Sequence, residues 1–289
     1  MNRATLLSRE SFVELTARAR AQALLDPGTF RELAGPFDGL TSPWLARQGV
    51  VPQGDDGVVV AKGRIDGQPA VVMAIEGAFQ GGSLGEVGGA KISGALELAA
   101  DDNRNGVPTR AVILFETGGV RLQEANLGLA SIAEIHAGIV DLRRYQPVIG
   151  VIAGQVGCFG GMSIAAALCS ALVVTREARL GLNGPAVIEQ EAGIGEYDSR
   201  DRPFIWGLTG GEQRFATGLA DRFVDDDTAE VRNVVADLVA QPPTPTPAAD
   251  GPRSEQYVHY QQCIAAYVAG DAAHQPDPAM VRRYLGERK

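Results

Sequence analysis

The sequence predicts an α/β fold in which buried strands alternate with helices. Three apolar segments rich in β-branched residues, at positions 110–115, 147–153 and 171–175, have the composition of strands that are buried on both faces. Glycine-rich turns and helix-like segments lie between them along the 289-residue chain. This alternation predicts a layered α/β protein, and the chain is long enough to bury a substantial core.

A helix and a hairpin are predicted near the N-terminus. Apolar residues recur at helical spacing over residues 8–25, and Asp26-Pro27-Gly28 ends that helix. An irregular stretch follows to about residue 57. Residues 58–65 and 69–76 are predicted as two strands joined at Asp66-Gly67, which is a strong hairpin signal.

The rest of the chain continues the alternation. After a glycine-rich loop, residues 91–100 are predicted to form the first part of a helix. Further helices are predicted at 125–142, 161–168, 185–192 and 211–217, and a late strand at 220–224. The proline-rich segment 241–252 predicts an extended linker. We therefore expect a main domain at 1–240, this linker, and a C-terminal helical segment at 253–289.

The composition argues against several classes of protein. A net charge of −9 disfavours nucleic-acid and membrane-surface binding, because both partners are anionic. The cysteines share no short spacing, which argues against a disulfide framework or a zinc site and favours reduced, buried thiols; they are Cys158, Cys169 and Cys263. Without a signal peptide or an apolar run of membrane-spanning length, we expect a cytoplasmic protein whose activity needs no metal.

Two loops each combine a preceding strand, a Gly-Gly pair and a following helix. They contain Gly118-Gly119 and Gly160-Gly161. A helix N-terminus presents N–H groups without partners, and glycine lets a ligand approach the backbone closely. This suits stabilisation of an oxyanion such as a thioester enolate. A single pair of this kind is more often only a tight strand-to-helix turn.

Other motifs are weaker. Residues 85–92 resemble a phosphate loop, but Ala90 and Ile92 replace the glycine and the hydroxyl residue that such a loop requires. Residues 161–165 resemble the nucleophile elbow of a hydrolase, with Ser163 as the nucleophile. A packing role for Ser163 is favoured, because no histidine carries a triad signature; the histidines are His136, His259 and His274.

Two carboxylates flank the first glycine pair. Glu116 and Glu124 could orient the loop or relay a proton, and surface or capping roles are equally open.

Several motifs in order resemble the carboxyltransferase subunits of acyl-CoA carboxylases. They lie at 63–72, 79–91, 116–124, 160–163 and 183–190, and their order and spacing agree from about residue 26 to 226. The resemblance implies a crotonase-like fold, the ClpP/crotonase spiral of stacked ββα units, and an acyl-thioester substrate. It implies an oxyanion hole at the amides of Gly118 and Gly119, with Gly160 and Gly161 lining the same pocket. It also implies substrate binding by four residues, Gly81, Gly82, Ser83 and Lys91.

Within this superfamily the chain is similar to the β subunits of biotin-independent malonate decarboxylases. It lacks the four-cysteine zinc ribbon of bacterial acetyl-CoA carboxylase β subunits and is too short to hold two crotonase halves. The usual Ser-Gly-Gly-Ala-Arg appears as Thr117-Gly-Gly-Val-Arg121, and residues 195–206 resemble the decarboxylase group in particular.

The resemblance implies decarboxylation of a malonyl thioester held by an acyl carrier protein. The chain itself would bind no cofactor, because the substrate is carried on a phosphopantetheine-type (dephospho-CoA-derived) arm. The implied partners are a homologous crotonase-like γ subunit, the acyl carrier protein subunit and an acyl-carrier transferase subunit. Alternatives are a biotin-dependent acyl-CoA carboxyltransferase half, a serine hydrolase that uses Ser163, and a non-catalytic scaffold.

Overall fold

The structure, a computed structural model, describes residues 9–49, 57–124, 126–242 and Ala265. The described part contains, besides four short 3-10 helices, seven strands and eight α-helices numbered in chain order. They are α1 (Ala17–Leu24), β1 (Arg31–Ala34), β2 (Val58–Ile65), β3 (Gln68–Ile75), α2 (Glu86–Arg104), β4 (Arg110–Phe115), α3 (Asn126–Leu142), β5 (Val148–Ile152), α4 (Gly161–Leu168), β6 (Ala171–Thr175), α5 (Pro185–Ala192), α6 (Arg202–Thr209), α7 (Gly211–Ala216), β7 (Arg222–Val224) and α8 (Thr228–Val239).

The strands form one sheet in sequence order. β1, β2 and β3 pair antiparallel, and β3 to β7 pair parallel. Because each parallel strand is added on the same side of the previous one, right-handed crossovers place the connecting helices on one face. Helices α2, α3 and α4 cover that face. The opposite face is covered by helices from the two ends of the described domain, α1 and α8.

The central strands are buried on both faces, as their sequence predicts. In β4, for example, Ile113 and Phe115 belong to the core under α2 and α3, whereas Val112 and Leu114 belong to the core under α1 and α8. Full burial explains the continuous apolar runs. The predicted α/β class is confirmed.

The predicted hairpin is confirmed. β2 and β3 pair from Val58↔Ile75 to Ile65↔Gln68. The connecting residues Asp66 and Gly67 both have positive φ angles, 48° and 74°. Such angles give a two-residue turn the twist that matches the strands.

The N-terminal helix is shorter than predicted, because it begins at Ala17 and not at residue 8. Ser11 Oγ and the Val13 amide both bind the Asp226 carboxylate, at 2.5 and 2.9 Å. These contacts with a distant part of the chain hold the preceding segment out of the helix. Thr16 then caps the helix by accepting from the Ala19 amide.

One predicted glycine-rich loop is partly helical. Helix α2 begins at Glu86, so the pair Gly88-Gly89 lies inside its first turns. A Cβ at Gly89 would collide with the Ser131 side chain of α3. These glycines therefore permit close packing of α2 on α3, and they do not form a ligand loop.

Strand β1 and helices α6 and α8 were not predicted. Helices α6 and α8 carry side-chain caps, Asp201 and Asp227, that a search for N-cap residues would detect. The predicted linker and C-terminal helical segment lie outside the described residues, apart from Gln241, Pro242 and a helical Ala265. No helix in the described part is long and apolar enough to span a membrane.

Candidate active site

The candidate site lies where the loops after β3, β4 and β5 meet at one edge of the sheet. Short parallel bridges connect these loops to each other and to the segment after β6, namely Leu84↔Val120, Thr117↔Cys158 and Cys158↔Leu180. In open α/β sheets, ligands bind at the carboxyl ends of the strands. The predicted glycine pairs lie at this edge.

The two glycine pairs are in direct contact. A Cβ at Gly119 would lie 3.3 Å from the Gly160 Cα, and a Cβ at Gly160 would lie 3.3 Å from the Gly119 Cα. Gly119 has a φ of 108° and Gly160 a φ of 62°, which disfavour any other residue. The structure therefore brings together the two loops that the sequence singled out separately.

Both amides of the first pair are already hydrogen-bonded inside the protein. Gly118 N–H donates to the Gly81 carbonyl at 2.9 Å. Gly119 N–H donates to Thr117 Oγ1 at 3.0 Å. The predicted donor role of Gly118 and Gly119 therefore needs correction, because neither amide is available to a ligand in this conformation.

The second pair is arranged differently. Gly160 N–H donates to the Leu182 carbonyl at 2.8 Å, and Gly161 is the first residue of α4. The first amide of a helix has no intrahelical acceptor. Over the described ranges, neither Gly161 N–H nor Val120 N–H has a hydrogen-bond partner. The Val120 nitrogen lies 4.0 Å from the position that a Gly160 Cβ would occupy, so the two amides flank the contact between the pairs.

His136 supports the second pair. Its Nε2 lies 2.8 Å from the Gly161 carbonyl oxygen. A carbonyl oxygen can only accept, so the hydrogen of this contact is on Nε2. The contact holds the first peptide of α4 against α3.

The buried carboxylate of Glu116 connects the loop after β4 to helix α1 and to the loop after β5. Arg20 Nη1 lies 2.8 Å from Glu116 Oε2, and both side chains are less than 10% exposed. Glu116 Oε1 also accepts from the Val156 amide at 2.6 Å. Gly154 leaves room for this carboxylate, because a Cβ there would collide with it. Glu116 thus anchors the base of both glycine loops.

Glu124 has a structural role of a similar kind. Its Oε1 pairs with Arg121 Nη1 at 3.0 Å, and its Oε2 accepts from the Glu86 amide at 2.7 Å, so it caps α2. Arg121 also donates to the Ser83 carbonyl at 2.8 Å. Of the roles left open for Glu116 and Glu124, the geometry favours orientation and capping.

The predicted substrate-binding residues separate into two groups. Gly81, Gly82 and Ser83 lie against the loop after β4. The Gly81 carbonyl accepts from Gly118, a Cβ at Gly82 would collide with the Glu116 carbonyl, and the Ser83 carbonyl accepts from Arg121. Lys91 is buried, and its ammonium donates to the Val58 carbonyl at 2.6 Å. This geometry gives no support to a substrate-binding role for Lys91.

Ser163 is not arranged as a nucleophile. Its hydroxyl donates to the Gly160 carbonyl at 2.7 Å, whereas His136 contacts the Gly161 carbonyl. The two side chains therefore form no catalytic dyad in this conformation.

Cys158 and Cys169 are buried thiols. Burial raises the pKa of Cys158 well above its usual value and that of Cys169 to about 12. Among the described residues, no group of three or more His, Cys, Asp or Glu side chains could hold a metal.

Sequence reasoning missed two features. Arg20 lies on the buried face of α1 together with Ala17, Ala21 and Leu24, and a charge on an apolar helix face was the available signal. The second feature is a cleft after β5 and β6 that contains Arg176 and Arg202. Its residues are distant in sequence and carry no local motif.

Known proteins share this sequence and fold. A model of the carboxyl transferase domain family matches residues 12–285. Malonyl-S-ACP:biotin-protein carboxyltransferase MADC of Malonomonas rubra is 41% identical over 248 residues, which are 82% of this chain and 78% of that protein.

Two solved structures are more similar. A chain in the crystal structure of a Pseudomonas malonate decarboxylase hetero-tetramer in complex with malonate is 68% identical, with a TM-score of 0.85, and the match covers 98% of this chain and 99% of that one. A chain in the Pseudomonas malonate decarboxylase MdcD-MdcE hetero-dimer is 62% identical, with a TM-score of 0.73, and the match covers 90% and 98%. These matches confirm the predicted crotonase-like fold class.

Proposed function

Since the chain belongs to the carboxyl transferase domain family, we propose that it is the β subunit of a malonate decarboxylase, which converts a malonyl thioester to an acetyl thioester and CO2. The identity of 68% over 98% of the chain to a malonate decarboxylase component supports this function. The observation that carries the chemistry is that two backbone amides beside the contact of the glycine pairs, those of Val120 and Gly161, have no hydrogen-bond acceptor among the described residues.

Decarboxylation leaves an enolate whose charge falls on the thioester oxygen. In the proposed mechanism, the amides of Val120 and Gly161 bind that oxygen. Donors fixed before the reaction stabilise the developing charge more than they stabilise the neutral carbonyl, so they lower the barrier. Removal of one such donor costs roughly 3–4 kcal/mol of transition-state stabilisation.

Each proposed donor is held from both sides. Val120 lies between two backbone contacts with Leu84, since Leu84 N–H donates to the Gly119 carbonyl and Arg121 N–H donates to the Leu84 carbonyl, both at 2.8 Å. Gly161 is fixed by helix α4 and by His136. The N-terminal end of α4 also carries a partial positive charge that favours an anion. Glycine at 119 and 160 keeps the space between the donors free of side chains.

The substrate carrier and the partner subunits are also part of the proposal. We place the malonyl group on the arm of an acyl carrier protein, and the Malonomonas relative is named for a malonyl-S-ACP substrate. A homologous crotonase-like γ subunit would complete the site, and the Pseudomonas hetero-dimer and hetero-tetramer support a partner of some kind. An acyl-carrier transferase subunit and a cytoplasmic location complete this proposal.

Exposed apolar side chains beside the site fit such a partner. Leu122 follows the first glycine pair, Leu182 binds Gly160 through its carbonyl, and Ile164 lies on α4; their exposed fractions are 80%, 61% and 46%. Obligate interfaces bury upwards of about 2,000 Å² and are rich in such residues.

The alternative with specific support is a biotin-dependent carboxyltransferase half. The 41% identical relative acts on a biotin protein according to its name. Both reactions pass through the same enolate and differ in whether CO2 is released or transferred. Higher identity and coverage favour the decarboxylase.

The test is an assay of the purified complex. The chain is co-purified with its untagged partner and given malonyl and methylmalonyl thioesters, with avidin added to half of the samples. We expect CO2 release from the malonyl thioester that avidin does not inhibit. Inhibition by avidin would favour the biotin-dependent alternative, and full activity of the chain without a partner would contradict the composite site.

A further inference from the structure

Two Asn-Gly sequences in the chain differ in how their amide groups are bonded. They are Asn105-Gly106, at the end of helix α2, and Asn183-Gly184, just before helix α5. An asparagine followed by glycine is especially prone to lose its side-chain amide, because glycine has no side chain to shield the next peptide nitrogen. Both asparagines are exposed, so solvent access does not distinguish them.

The first of these sequences is held by hydrogen bonds. Asn105 Nδ2 donates to the Asp101 carbonyl at 2.9 Å, and Gly106 N–H donates to the Asn103 carbonyl at 3.0 Å. The side-chain amide and the next peptide nitrogen are the two groups that must meet for the asparagine to react. Since both of them are bonded to the last turn of α2, a reaction at Asn105 requires that turn to open first.

The second sequence has neither restraint. Within the described ranges, the Asn183 side chain and the Gly184 N–H make no hydrogen bond. Gly184 is extended, with φ of −66° and ψ of 153°, which is the conformation that a following proline favours. Apart from its chain neighbours, no atom lies within 4 Å of the position that a Cβ at Gly184 would occupy. The Asn183 side chain is therefore free to fold onto the Gly184 nitrogen.

We propose that Asn183 is a site of spontaneous deamidation in the folded chain, and that its conversion disturbs the second glycine pair. The Gly184 nitrogen attacks the side-chain carbonyl carbon of Asn183. A new C–N bond forms, the bond to the side-chain nitrogen breaks, and ammonia leaves with the proton of the Gly184 N–H. Water then opens the succinimide ring at one of its two carbonyls, which gives aspartate or isoaspartate.

The position of Asn183 gives this conversion its effect on the site. Asn183 follows Leu182, whose carbonyl accepts from Gly160 N–H at 2.8 Å. Isoaspartate lengthens the main chain at residue 183 by one carbon, and both products carry a negative charge. A negative charge beside the second pair opposes the enolate that Gly161 is proposed to stabilise. This effect on activity rests on the proposed function, whereas the deamidation itself does not.

The test follows both asparagines in the native full-length chain and in the chain unfolded by guanidinium chloride. Samples are aged at mildly alkaline pH and digested, each Asn-Gly peptide is quantified by mass spectrometry, and isoaspartate methyltransferase identifies the product. In the native chain the rate constant at Asn183 should exceed that at Asn105 at least about tenfold, since a hydrogen bond that must break first slows a reaction by about that factor. In the unfolded chain the two rate constants should become similar.

Gly184→Ala is the matched variant. Alanine fits the extended backbone at this position and has open space at its Cβ, so the variant should fold as the wild type does. Its Cβ shields the attacking nitrogen, so conversion should slow at Asn183 and not at Asn105. Aged chains are then mixed with fresh partner subunit and assayed on the malonyl thioester. The activity of the wild type should fall in proportion to the converted fraction of Asn183, whereas the aged variant should stay active.

The possible failures are distinguishable. Equal native rate constants at the two asparagines, or no native conversion at Asn183 while the unfolded chain reacts, would overturn the deamidation site. Full activity of a chain converted at Asn183, or an equal loss of activity in the aged Gly184→Ala chain, would overturn its effect on the glycine pair. A fresh wild-type chain that is inactive with its partner would instead refute the proposed function, and the peptide measurements would still test the site.

Discussion

The two glycine pairs have the same local pattern and opposite hydrogen-bonding states. Both follow a buried strand and precede a helix, and their backbones are in contact. At the first pair, Gly118 and Gly119 donate to Gly81 and Thr117. At the second pair, the Gly161 amide has no acceptor among the described residues. The Gly-Gly pattern therefore specifies a turn with room beside it, and it does not specify which amide a ligand meets.

The cause of the difference is distant in sequence. The carbonyl that accepts from Gly118 belongs to Gly81, which lies in the loop after β3. Among the residues that the structure describes, no carbonyl accepts from the Gly161 amide, because that residue begins a helix whose first amides have no intrahelical acceptor. We infer that the first pair positions the Val120 amide without donating to the ligand itself, whereas the second pair contributes the Gly161 amide as a donor.

Gly119→Val should have the largest effect on catalysis. Its Cβ would lie 3.1 Å from the Phe159 carbonyl oxygen, in a backbone conformation with φ of 108°, so the second loop must shift. We expect kcat to fall roughly 100- to 1,000-fold, as for loss of an oxyanion donor. Gly118→Ala is the control, because its Cβ meets only the Gly81 carbonyl at 3.3 Å. A Gly119→Val complex with wild-type melting temperature, partner binding and kcat would remove this contact from the mechanism.

Glu116→Gln should reduce stability more than catalysis, because the Glu116 carboxylate is one half of a buried ion pair and has no assigned role in binding the enolate. Loss of the carboxylate leaves Arg20 buried without its counter-charge, which costs about 3–5 kcal/mol of unfolding free energy. Urea denaturation of the complex measures this loss. Asp101→Asn, which breaks the exposed pair with Arg104, should change stability by less than about 1 kcal/mol. Equal losses in the two variants would show that burial of the Glu116 pair has no special effect.

Ser163→Ala should have a small effect. Ser163 contributes one hydrogen bond to the Gly160 carbonyl, worth about 1 kcal/mol of stability. We expect kcat to stay close to that of the wild type in a steady-state assay. A thousandfold loss in a folded complex would restore the hydrolase hypothesis.

The buried thiols should have the smallest effect of all. Cys158 lies just before the second pair, and burial raises its pKa and that of Cys169, so neither thiol is ionised near pH 8. In a Cys263→Ser background, iodoacetamide at pH 8 should leave both thiols unlabelled, as mass spectrometry would reveal. Because the pKa of Cys169 rises from 9.0 to about 12 on folding, its contribution to stability is complete below pH 9 and is lost as the pH rises towards 12. Rapid labelling of the native complex would contradict this burial.

The parts of the fold that the sequence predicts are those with local signals. The central strands β4 and β6 and the helix α4 agree with prediction at both ends, because their apolar runs end at glycine or polar residues. The start of α1 was mispredicted, since Asp226 holds the preceding segment from a distant part of the chain. The helical Gly88-Gly89 was mispredicted because its cause is packing against Ser131 of α3.

The glycine pairs in the sequence indicated where the site lies, but they did not indicate which backbone amides are available to a ligand. The sequence singled out both glycine pairs, and the fold brings them into contact. The family resemblance implied that the amides of Gly118 and Gly119 are the donors. The sequence does not reveal that the Gly81 carbonyl, in a different loop, accepts from Gly118. Arg20 and the cleft were missed for the same reason, because their partners are contributed by different elements.

The most direct test of the account compares Gly161→Pro with Gly161→Ala in the assembled complex. Both variants carry the same Cβ, which would lie 2.9 Å from Ile132 Cγ2, and proline is tolerated as the first residue of a helix. Only the proline variant lacks the N–H that is proposed to bind the enolate oxygen. With melting temperature and partner binding matched, the account predicts a kcat roughly 100- to 1,000-fold lower for Gly161→Pro than for Gly161→Ala. Equal kcat values for the two variants would contradict it.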